Sequence, residues 1–469
     1  MPDVSVVFFS VNSSSLANRL THGRSPDPSQ TAVQPVALAF WAGRVLALGV
    51  LLSVGIATTA IAGTRQPQAT AAARQAFRQE QQSKIRPEHY DLARYPLTEE
   101  MVGHWRGLLW ATAIVEPADR SIDTSIAQLL EFAYSPDGQG FSSAQRSVVE
   151  MALQVGTQLL LSNTPSPQIA AQFQQVLERS ENPRWVAIAL SALAQATDHA
   201  ADRRQWGDRV RQRFPNWRQE PILETTLRDV AELDSPPTLP PLQDLLDWQI
   251  APDQMHAYVL CPRDRTALCQ LMVKDRTGAF VEREDGTRWS VLLLRRSLHG
   301  LRWNLTRGDT PQGIYRIEGV RSPSADTFRA YGQFPRVNLY VPHEAGVQEF
   351  LPGQPGTVGA IAQYRALLPP SWRNYFPIYQ SYWAGRIGRG LFRIHGSGED
   401  PAFFANSARF PHSYGWSPAI GCLSALEQYD ESGNLQQADM PAILQVLTQA
   451  SGAASPSDLV GYLVLVERV

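Results

Sequence analysis

Two short segments of the C-terminal half decide how this sequence is interpreted: L-F-R-I-H-G-S-G at residues 391–398 and S-P-A-I-G-C-L-S at residues 417–424. The first is an apolar, strand-like run that ends at His395, which precedes a glycine. The second places Cys422 directly after Gly421. A thiol attacks as the thiolate, and a nearby imidazole can accept its proton. Because a glycine before the nucleophile lets backbone N–H groups turn toward a developing oxyanion, the pattern predicts thiol acyl transfer.

The residues around these segments have a strand-like pattern, which predicts a β-rich domain over residues 251–469. Strands are predicted at residues 289–296, 314–320, 337–341, 390–394 and 462–469, and a helix is predicted at residues 441–450. A turn at residues 297–300 predicts that the chain returns as a hairpin strand at residues 301–305.

Residues 96–233 have a helical pattern and predict an all-α module, either a bundle or a HEAT-like array. Ser142 followed by Gln145 is typical of a capping box at the start of one helix. Asn182 as N-cap and Pro183 at the first helical position begin another. The module ends at a proline-rich stretch, and we place a linker at residues 234–250.

The N-terminal segments are interpreted as elements of export and tethering. Residues 1–34 are rich in serine and aperiodic, which predicts a disordered lead. Residues 35–63 include an uncharged run that suits either a cleaved signal peptide or an uncleaved anchor in the inner membrane. Residues 64–95 are rich in Gln, Arg and Ala and predict a polar stalk or an exposed helix. Both interpretations of the apolar run predict a protein of the cell envelope or periplasm.

Bulk composition narrows the classes of function. With 469 residues, of which 43% are hydrophobic and 18% charged, the chain is long enough for two or three globular domains. A net charge of −2 does not indicate the basic surface that nucleic-acid binding requires. No residue cluster has metal-ligand spacing and no nucleotide-binding motif appears, so we predict no metal and no other cofactor. Cys261 and Cys269 form either a disulfide or two reduced core residues, and the disulfide would leave Cys422 as the unpaired thiol.

Three blocks, T-P-Q-G-I-Y-R-I (310–317), I-H-G (394–396) and G-C-L (421–423), resemble the catalytic domain of the L,D-transpeptidases, also called the YkuD domain. The family pattern is T-P-x-G-x-[FY]-x-I, then H-G, then a Gly-Cys step followed by an apolar residue. The resemblance covers residues 255–469 and implies a β-sandwich-like domain that acts on peptidoglycan stem peptides. The fold class expected for the whole chain is therefore an all-α module followed by a β-rich, YkuD-like domain.

The resemblance also implies roles for individual residues. Cys422 would be the nucleophile and His395 the general base, and the carbonyl of Gly396 would orient the imidazole. Backbone N–H groups of Gly421 and Cys422 would hold the oxyanion. The thiolate would open the stem amide, and an amine of a neighbouring stem would resolve the thioester without any cofactor.

Departures from the family pattern leave the acceptor open. Ala419 stands where the family usually has Ser or Thr, and Ser424 stands where it has an Arg or Asn that helps to place the substrate. With water as acceptor the protein would be a carboxypeptidase or amidase, and a catalytically degenerate peptidoglycan-binding scaffold is the non-enzymatic alternative. His412, Tyr414, Trp416 and Ser424 are predicted substrate contacts. The helical module is predicted to position the catalytic domain or to bind a protein partner.

Overall fold

The computed structural model describes residues 65–117, 120–162, 164–323, 332–405, 407, 409–411 and 415–468. The predicted disordered lead (1–34) and the predicted signal peptide or anchor (35–63) lie outside these residues, as do His412 and Tyr414. Within the described ranges, no helix is both long enough and apolar enough to cross a bilayer.

The N-terminal half of the described chain is helical, as its apolar spacing predicts. Its helices are α1 (Ala71–Lys84), α2 (Val102–Val115), α3 (Asp123–Glu131), α4 (Ser143–Leu160), α5 (Pro167–Arg179), α6 (Pro183–Gln195), α7 (Ala200–Arg213), α8 (Pro221–Asp234) and α9 (Leu242–Asp247). Helices α2, α4, α6 and α8 contact one another in that order, and α3, α5 and α7 form a second row. Helix α6 is buried continuously from Val186 to Ala194, which fits a helix that is almost wholly apolar.

Local sequence signals set the starts of two of these helices. The hydroxyl of Ser142 accepts the N–H of Gln145 at 3.2 Å, and the Gln145 side chain accepts the N–H of Ser142 at 3.0 Å. This is the reciprocal capping box that the sequence predicts. Asn182 Oδ1 accepts the N–H of Arg184 at 3.0 Å, and Pro183 occupies the first helical position. Both predicted helix starts are therefore confirmed.

The C-terminal half of the described chain is β-rich. Its strands are β1 (Met255–Pro262), β2 (Cys269–Lys274), β3 (Ser290–Leu294), β4 (Gly313–Arg321), β5 (Arg336–Tyr340), β6 (Phe392–Gly396), β7 (Leu423–Ala425), β8 (Glu427–Tyr429), β9 (Leu435–Ala438) and β10 (Val460–Arg468), and its helices are α10 (Ile361–Ala366), α11 (Gln380–Arg386) and α12 (Met440–Ser451). Eight strands close into a barrel-like sheet in the order β1-β10-β4-β5-β6-β7-β3-β2, and β8 and β9 form a separate hairpin. The coarse fold prediction, helices followed by a β-rich part, is confirmed.

The predicted return strand at residues 301–305 is wrong. Strand β3 pairs with β2 and β7 instead, and residues 297–309 leave the sheet as a loop. The two leucines of the segment are buried in the same core as the helices, and Trp303 Nε1 donates to Asp229 Oδ1 of α8 at 2.7 Å. The apolar residues that suggest a strand are instead buried against the helical module, so tertiary context overrides local propensity.

Two segments predicted as spacers pack on the barrel-like sheet and its hairpin. In the predicted linker, the Pro241 carbonyl accepts Trp372 Nε1–H at 3.0 Å, and α9 lies within the same segment. In the predicted stalk, Gln66 N–H donates to the Gly433 carbonyl in the β8–β9 turn at 2.7 Å. Helix α1 follows directly, so the stalk segment is folded against the hairpin from residue 65 onward.

The pairing of the two cysteines at the first strands, which the sequence leaves open, is visible in the structure. Cys261 at the end of β1 and Cys269 at the start of β2 form a disulfide, with their Cα atoms 4.1 Å apart. The two positions face each other across an antiparallel pair. Cys422 is therefore the one cysteine with a free thiol.

Candidate active site

Cys422 directly precedes β7, beside the strand that carries His395. Strands β6 and β7 are parallel neighbours, with Ile394 opposite Leu423 and His395 opposite Ser424. Ile394 and Leu423 belong to the core of the sheet, so the alternation of side chains puts His395 and Ser424 on the opposite face. Cys422 comes two residues before Ser424 and therefore begins on the same face as His395.

The register also fixes how far apart the predicted nucleophile and base lie. Adjacent strands are about 4.8 Å apart and a strand rises about 3.3 Å per residue, which gives about 8 Å between the Cα atoms of Cys422 and His395. A cysteine and a histidine side chain can together bridge this separation. Residues 395 and 422, which are 27 positions apart in the sequence, therefore lie at neighbouring strands, and a contact between the sulfur and the imidazole stays a prediction.

The glycine before the cysteine is required by conformation and by space. Gly421 has φ of +129°, a region that other residues rarely adopt. A Cβ atom at this position would lie 2.8 Å from Arg389 Nη2 and 3.2 Å from the Gly308 carbonyl oxygen. Arg389 is itself buried, and it donates to the Gly308 carbonyl at 2.8 Å and to the Asp309 carbonyl at 3.0 Å. The turn at Gly421 is therefore packed directly against the loop that precedes Thr310.

Thr310 connects the first motif block to the third. Its hydroxyl lies 3.0 Å from the Gly421 carbonyl oxygen and 3.4 Å from that of Cys422, to which it can donate. The next carbonyl, that of Pro311, accepts the hydroxyl of Tyr315 at 2.6 Å. Pro311 is thus bound to Tyr315 of β4, and Thr310 is bound to the loop that carries Cys422.

The sulfur of Cys422 rests against the beginning of β6. The side chain is 9% exposed, and Sγ donates to the Leu391 carbonyl at 3.7 Å. The backbone N–H of Arg393 in turn donates to the sulfur. A carbonyl can only accept, so the contact with Leu391 requires the protonated thiol in this state.

The imidazole of His395 is held in one tautomer. Its Nδ1 lies 2.6 Å from the carbonyl oxygen of Gly396, which the sequence predicts as the orienting group. Because the carbonyl accepts, Nδ1 carries the proton and Nε2 is the basic nitrogen. Burial lowers the pKa of His395 to about 4, although the bond to Gly396 acts in the opposite direction and Arg336 lowers the pKa further. The imidazole is therefore neutral at neutral pH.

Burial and three guanidinium groups act in opposite directions on the pKa of the Cys422 thiol, and burial has the larger effect. Burial raises the pKa of the Cys422 thiol, and the charges of Arg393, Arg389 and Arg336 lower it. Sequence reasoning did not assign Arg389 or Arg336 to the site, because they come from a loop and from the start of β5 and only the fold brings them near the cysteine. The positive environment favours the thiolate once a proton acceptor removes the proton.

The four predicted substrate contacts are placed differently. Ser424 is fully buried opposite His395, and its hydroxyl has no hydrogen-bond partner among the described residues. Trp416 lines a cleft of ≈ 270 Å³ together with Phe404 and Phe410, and Cys422 is not among the described residues that line this cleft. His412 and Tyr414 lie outside the described residues, so their predicted contacts stay predictions.

Sequence reasoning missed one acidic residue next to the His-Gly step. Glu427 begins β8 and is 2% exposed. A Cβ atom added to Gly396 would lie 1.7 Å from Glu427 Oε2, so a side chain where the chain leaves His395 would require the carboxyl group to move. No local signal marks this glutamate, because its burial comes from the packing of β8 against the end of β6.

A metal centre is not suggested by the described part of the chain, where no group of three or more His, Cys, Asp or Glu residues could hold an ion. Comparison with protein-family models, with curated proteins and with solved structures gave no match for this chain.

Proposed function

We propose that this protein is a cysteine acyltransferase of the L,D-transpeptidase type that acts on peptidoglycan stem peptides. The observation that carries the proposal is the convergence of three separated motif blocks. Thr310 donates to the carbonyls of the Gly421-Cys422 step, and the strand of His395 runs parallel to the strand that follows Cys422. These three blocks carry the resemblance, and their convergence is what a cysteine–histidine acyl-transfer site needs.

The chemical steps follow from the groups in place. Nε2 of His395 takes the proton of Cys422 Sγ, and the thiolate attacks the carbonyl carbon of the stem amide to form an S–C bond. The N–H groups of Gly421 and Cys422 stabilise the oxyanion. The C–N bond then breaks, and the imidazolium gives its proton to the departing amine. A second stem's amine attacks the thioester, a new C–N bond forms, the S–C bond breaks, and the proton of the amine returns through His395 to the sulfur.

The protonation states favour general-base activation over a permanent ion pair. A pKa of about 4 keeps His395 neutral at neutral pH, so its Nε2 is unprotonated but only weakly basic. The thiol of Cys422 has a raised pKa and donates to Leu391. Proton transfer therefore has to accompany substrate attack, and the arginines beside the sulfur stabilise the charge that forms.

The helical module supports the proposed site as a positioning element. Its helix α8 binds the 297–309 loop through Asp229, which accepts Arg302 Nη2 at 2.8 Å as well as the indole of Trp303. This loop ends at Asp309, directly before Thr310. We also propose export to the cell envelope by the 35–63 segment, as a cleaved signal or an inner-membrane anchor, and a protein partner on the outer helices.

Hydrolysis of the acyl-enzyme is the second candidate function. Ser424, which stands where the family usually has Arg or Asn, is small and fully buried. A site with no long polar side chain at this position has fewer groups to hold an acceptor stem, which favours water as the acceptor. This outcome uses the same nucleophile and base and differs only in the second half of the reaction.

The test uses the full chain, purified in detergent. A carbapenem should add its mass to the protein, the Cys422→Ala variant should stay unmodified, and His395→Gln should slow acylation by roughly 10²–10⁴-fold. Incubation with purified sacculi should then produce new cross-links if the acceptor is an amine. Released peptides without cross-links would select hydrolysis. Absence of the adduct together with unchanged sacculus binding by Cys422→Ala would contradict both enzymatic functions and leave a binding scaffold.

A further inference from the structure

We propose that the cleft between α1 and the β8–β9 hairpin is a binding site for a primary ammonium group carried on a short apolar stem. This α1 cleft has a volume of ≈ 290 Å³ and is lined by Gln68, Ala69, Phe77, Ser397, Pro401 and Glu427, among other residues. Cys422 is not among the described residues that line the cleft, so the proposal does not depend on the acyl-transfer chemistry.

Glu427 is the residue that points to a ligand. Its Oε1 accepts the N–H of Gln333 at 2.9 Å and the hydroxyl of Tyr429. Its Oε2 is buried and has no hydrogen-bond partner among the described residues. A buried carboxylate oxygen without a donor is unfavourable, so a donor that enters from the cleft would be stabilising.

The fold makes room for this carboxyl group on two sides. A Cβ atom at Gly396 would lie 1.7 Å from Glu427 Oε2, and one at Gly332 would lie 2.2 Å from the same oxygen. Two separate loops therefore carry glycine where the carboxyl group needs space. Glu427 is 2% exposed and held by two hydrogen bonds on Oε1, so its carboxyl group has a defined place at the cleft.

The remaining polar groups of the cleft select a donor rather than an acceptor. Gln68 Oε1 is a second buried acceptor without a partner among the described residues. Arg74, the one cation among the described lining residues, already donates to the carbonyls of Tyr429 and Asp430 at 3.3 and 3.5 Å. Ser397 uses its proton on the Ala425 carbonyl at 3.1 Å. Two further acids, Glu399 and Asp400, and the amides of Gln428 and Gln436 also line the cleft, so the charge of the described lining favours a cation over an anion. An ammonium group carries three donors for these acceptors.

The walls fit the stem of such a ligand. Phe77, Ala69 and Pro401 form an apolar side of the cleft. An alkyl chain that packs on these residues can direct its terminal amine toward the carboxyl group. Burial raises the pKa of Glu427 to about 7, against the hydrogen bonds from Tyr429 and Gln333. A bound cation would supply the countercharge that ionises it.

The test measures binding of n-pentylamine, with n-pentanol as the neutral probe, to the full chain by isothermal titration calorimetry. Wild type should bind the amine and not the alcohol. Glu427→Gln should weaken amine binding at least tenfold, and Gln68→Ala, which keeps the carboxyl group, should weaken it several-fold. Glu431→Gln is the matched control, because this exposed acid lies on the same hairpin outside the cleft, and its binding should be unchanged.

Several outcomes would overturn the ammonium site. They are equal binding of amine and alcohol, unchanged binding in both Glu427→Gln and Gln68→Ala, an equal loss in Glu431→Gln, and displacement of the amine by millimolar calcium. Cys422→Ala should bind the amine as wild type does, so a failure of this proposal and a failure of the acyl-transfer proposal give different results. Circular dichroism of each variant establishes that it is folded.

Discussion

Two glutamates of the C-terminal half, one in the closed barrel-like sheet and one in the separate β8–β9 hairpin, have opposite environments. Glu467, near the end of β10, accepts Arg265 Nη2 at 2.9 Å and also pairs with Arg295. Glu427, at the start of β8, receives only neutral donors on one oxygen and has an unpartnered second oxygen within the described structure. Both side chains come from the same type of element, so the difference lies in the neighbours that the fold provides.

The pKa values of the two carboxyl groups express this difference. Burial alone would raise the pKa of Glu467, but the charges of Arg265 and Arg295 overcome it and lower the pKa to about 2. At Glu427 burial dominates, and the pKa rises to about 7. A buried acid that is paired with a cation contributes to the stability of the fold. A buried acid without such a partner either binds a ligand or destabilises the folded state.

The largest effect is expected from removal of the paired charge. Glu467→Gln should lower the free energy of unfolding by about 3–5 kcal/mol, because it leaves Arg295 buried without its countercharge. Arg265 would keep Asp309, whose Oδ2 lies 2.9 Å from its Nη1. Chemical denaturation at pH 7 measures the change, with Glu427→Gln as the matched substitution. An equal loss in both variants would remove the distinction between the two sites.

The pH dependence of stability separates the two carboxyl groups next. Glu467 has a folded-state pKa of about 2, below the usual value of 4.5. Its contribution is therefore complete above pH 4.5 and is lost as the pH falls toward 2, with a size of about 3 kcal/mol. Denaturation at a series of acidic pH values should show this loss in wild type and a shallower one in Glu467→Gln. Parallel curves for the two proteins would contradict the depressed pKa.

Glu427 should show the reverse sign in a different window. Its folded-state pKa of about 7 exceeds the usual 4.5, so the folded state binds more protons and stability falls as the pH rises from 4.5 to 7. Glu427→Gln should match wild type at pH 4 and be more stable at pH 8, by up to about 3 kcal/mol. n-Pentylamine at pH 8 should stabilise wild type and not the variant. A variant that is less stable than wild type at pH 8 would show that the carboxyl group is paired.

Much of the framework could be predicted from the sequence, where local rules decide the structure. Ser142 and Asn182 cap helices as their neighbours predict, and the alternating segment 314–320 lies within β4. The motif order also predicts that Cys422 and His395 act together; the structure places their segments at neighbouring strands, and a contact between the two side chains stays a prediction. These features depend on residues near one another in the chain, or on a pattern whose blocks each carry a signal.

The rest could not be predicted because it depends on contacts between distant segments. The 301–305 segment has a strand-like composition, yet its leucines are buried with the helices. Arg389 approaches the Gly421 turn from a loop, and Glu427 is buried by Gly396 and Gly332 from two other parts of the chain. A single arginine or glutamate has no periodicity or spacing to mark it, so only the tertiary structure reveals its role.

The smallest effect is expected at the hydroxyl of Thr310, which lies between the ion pairs of Glu467 and the loop that carries Cys422. Thr310 follows Asp309 of the ion-pair network, and its hydroxyl donates to the Gly421 and Cys422 carbonyls. Thr310→Val keeps the shape of the side chain but removes the donor, and should cost about 1–2 kcal/mol of stability. It should also slow carbapenem acylation of Cys422 by more than the loss of stability explains, because the loop loses its register against β4. Thr310→Ser keeps the hydroxyl and should preserve the acylation rate. Equal rates in the Val and Ser variants would mean that the loop is held by other contacts, such as the packing of Gly421 on Arg389.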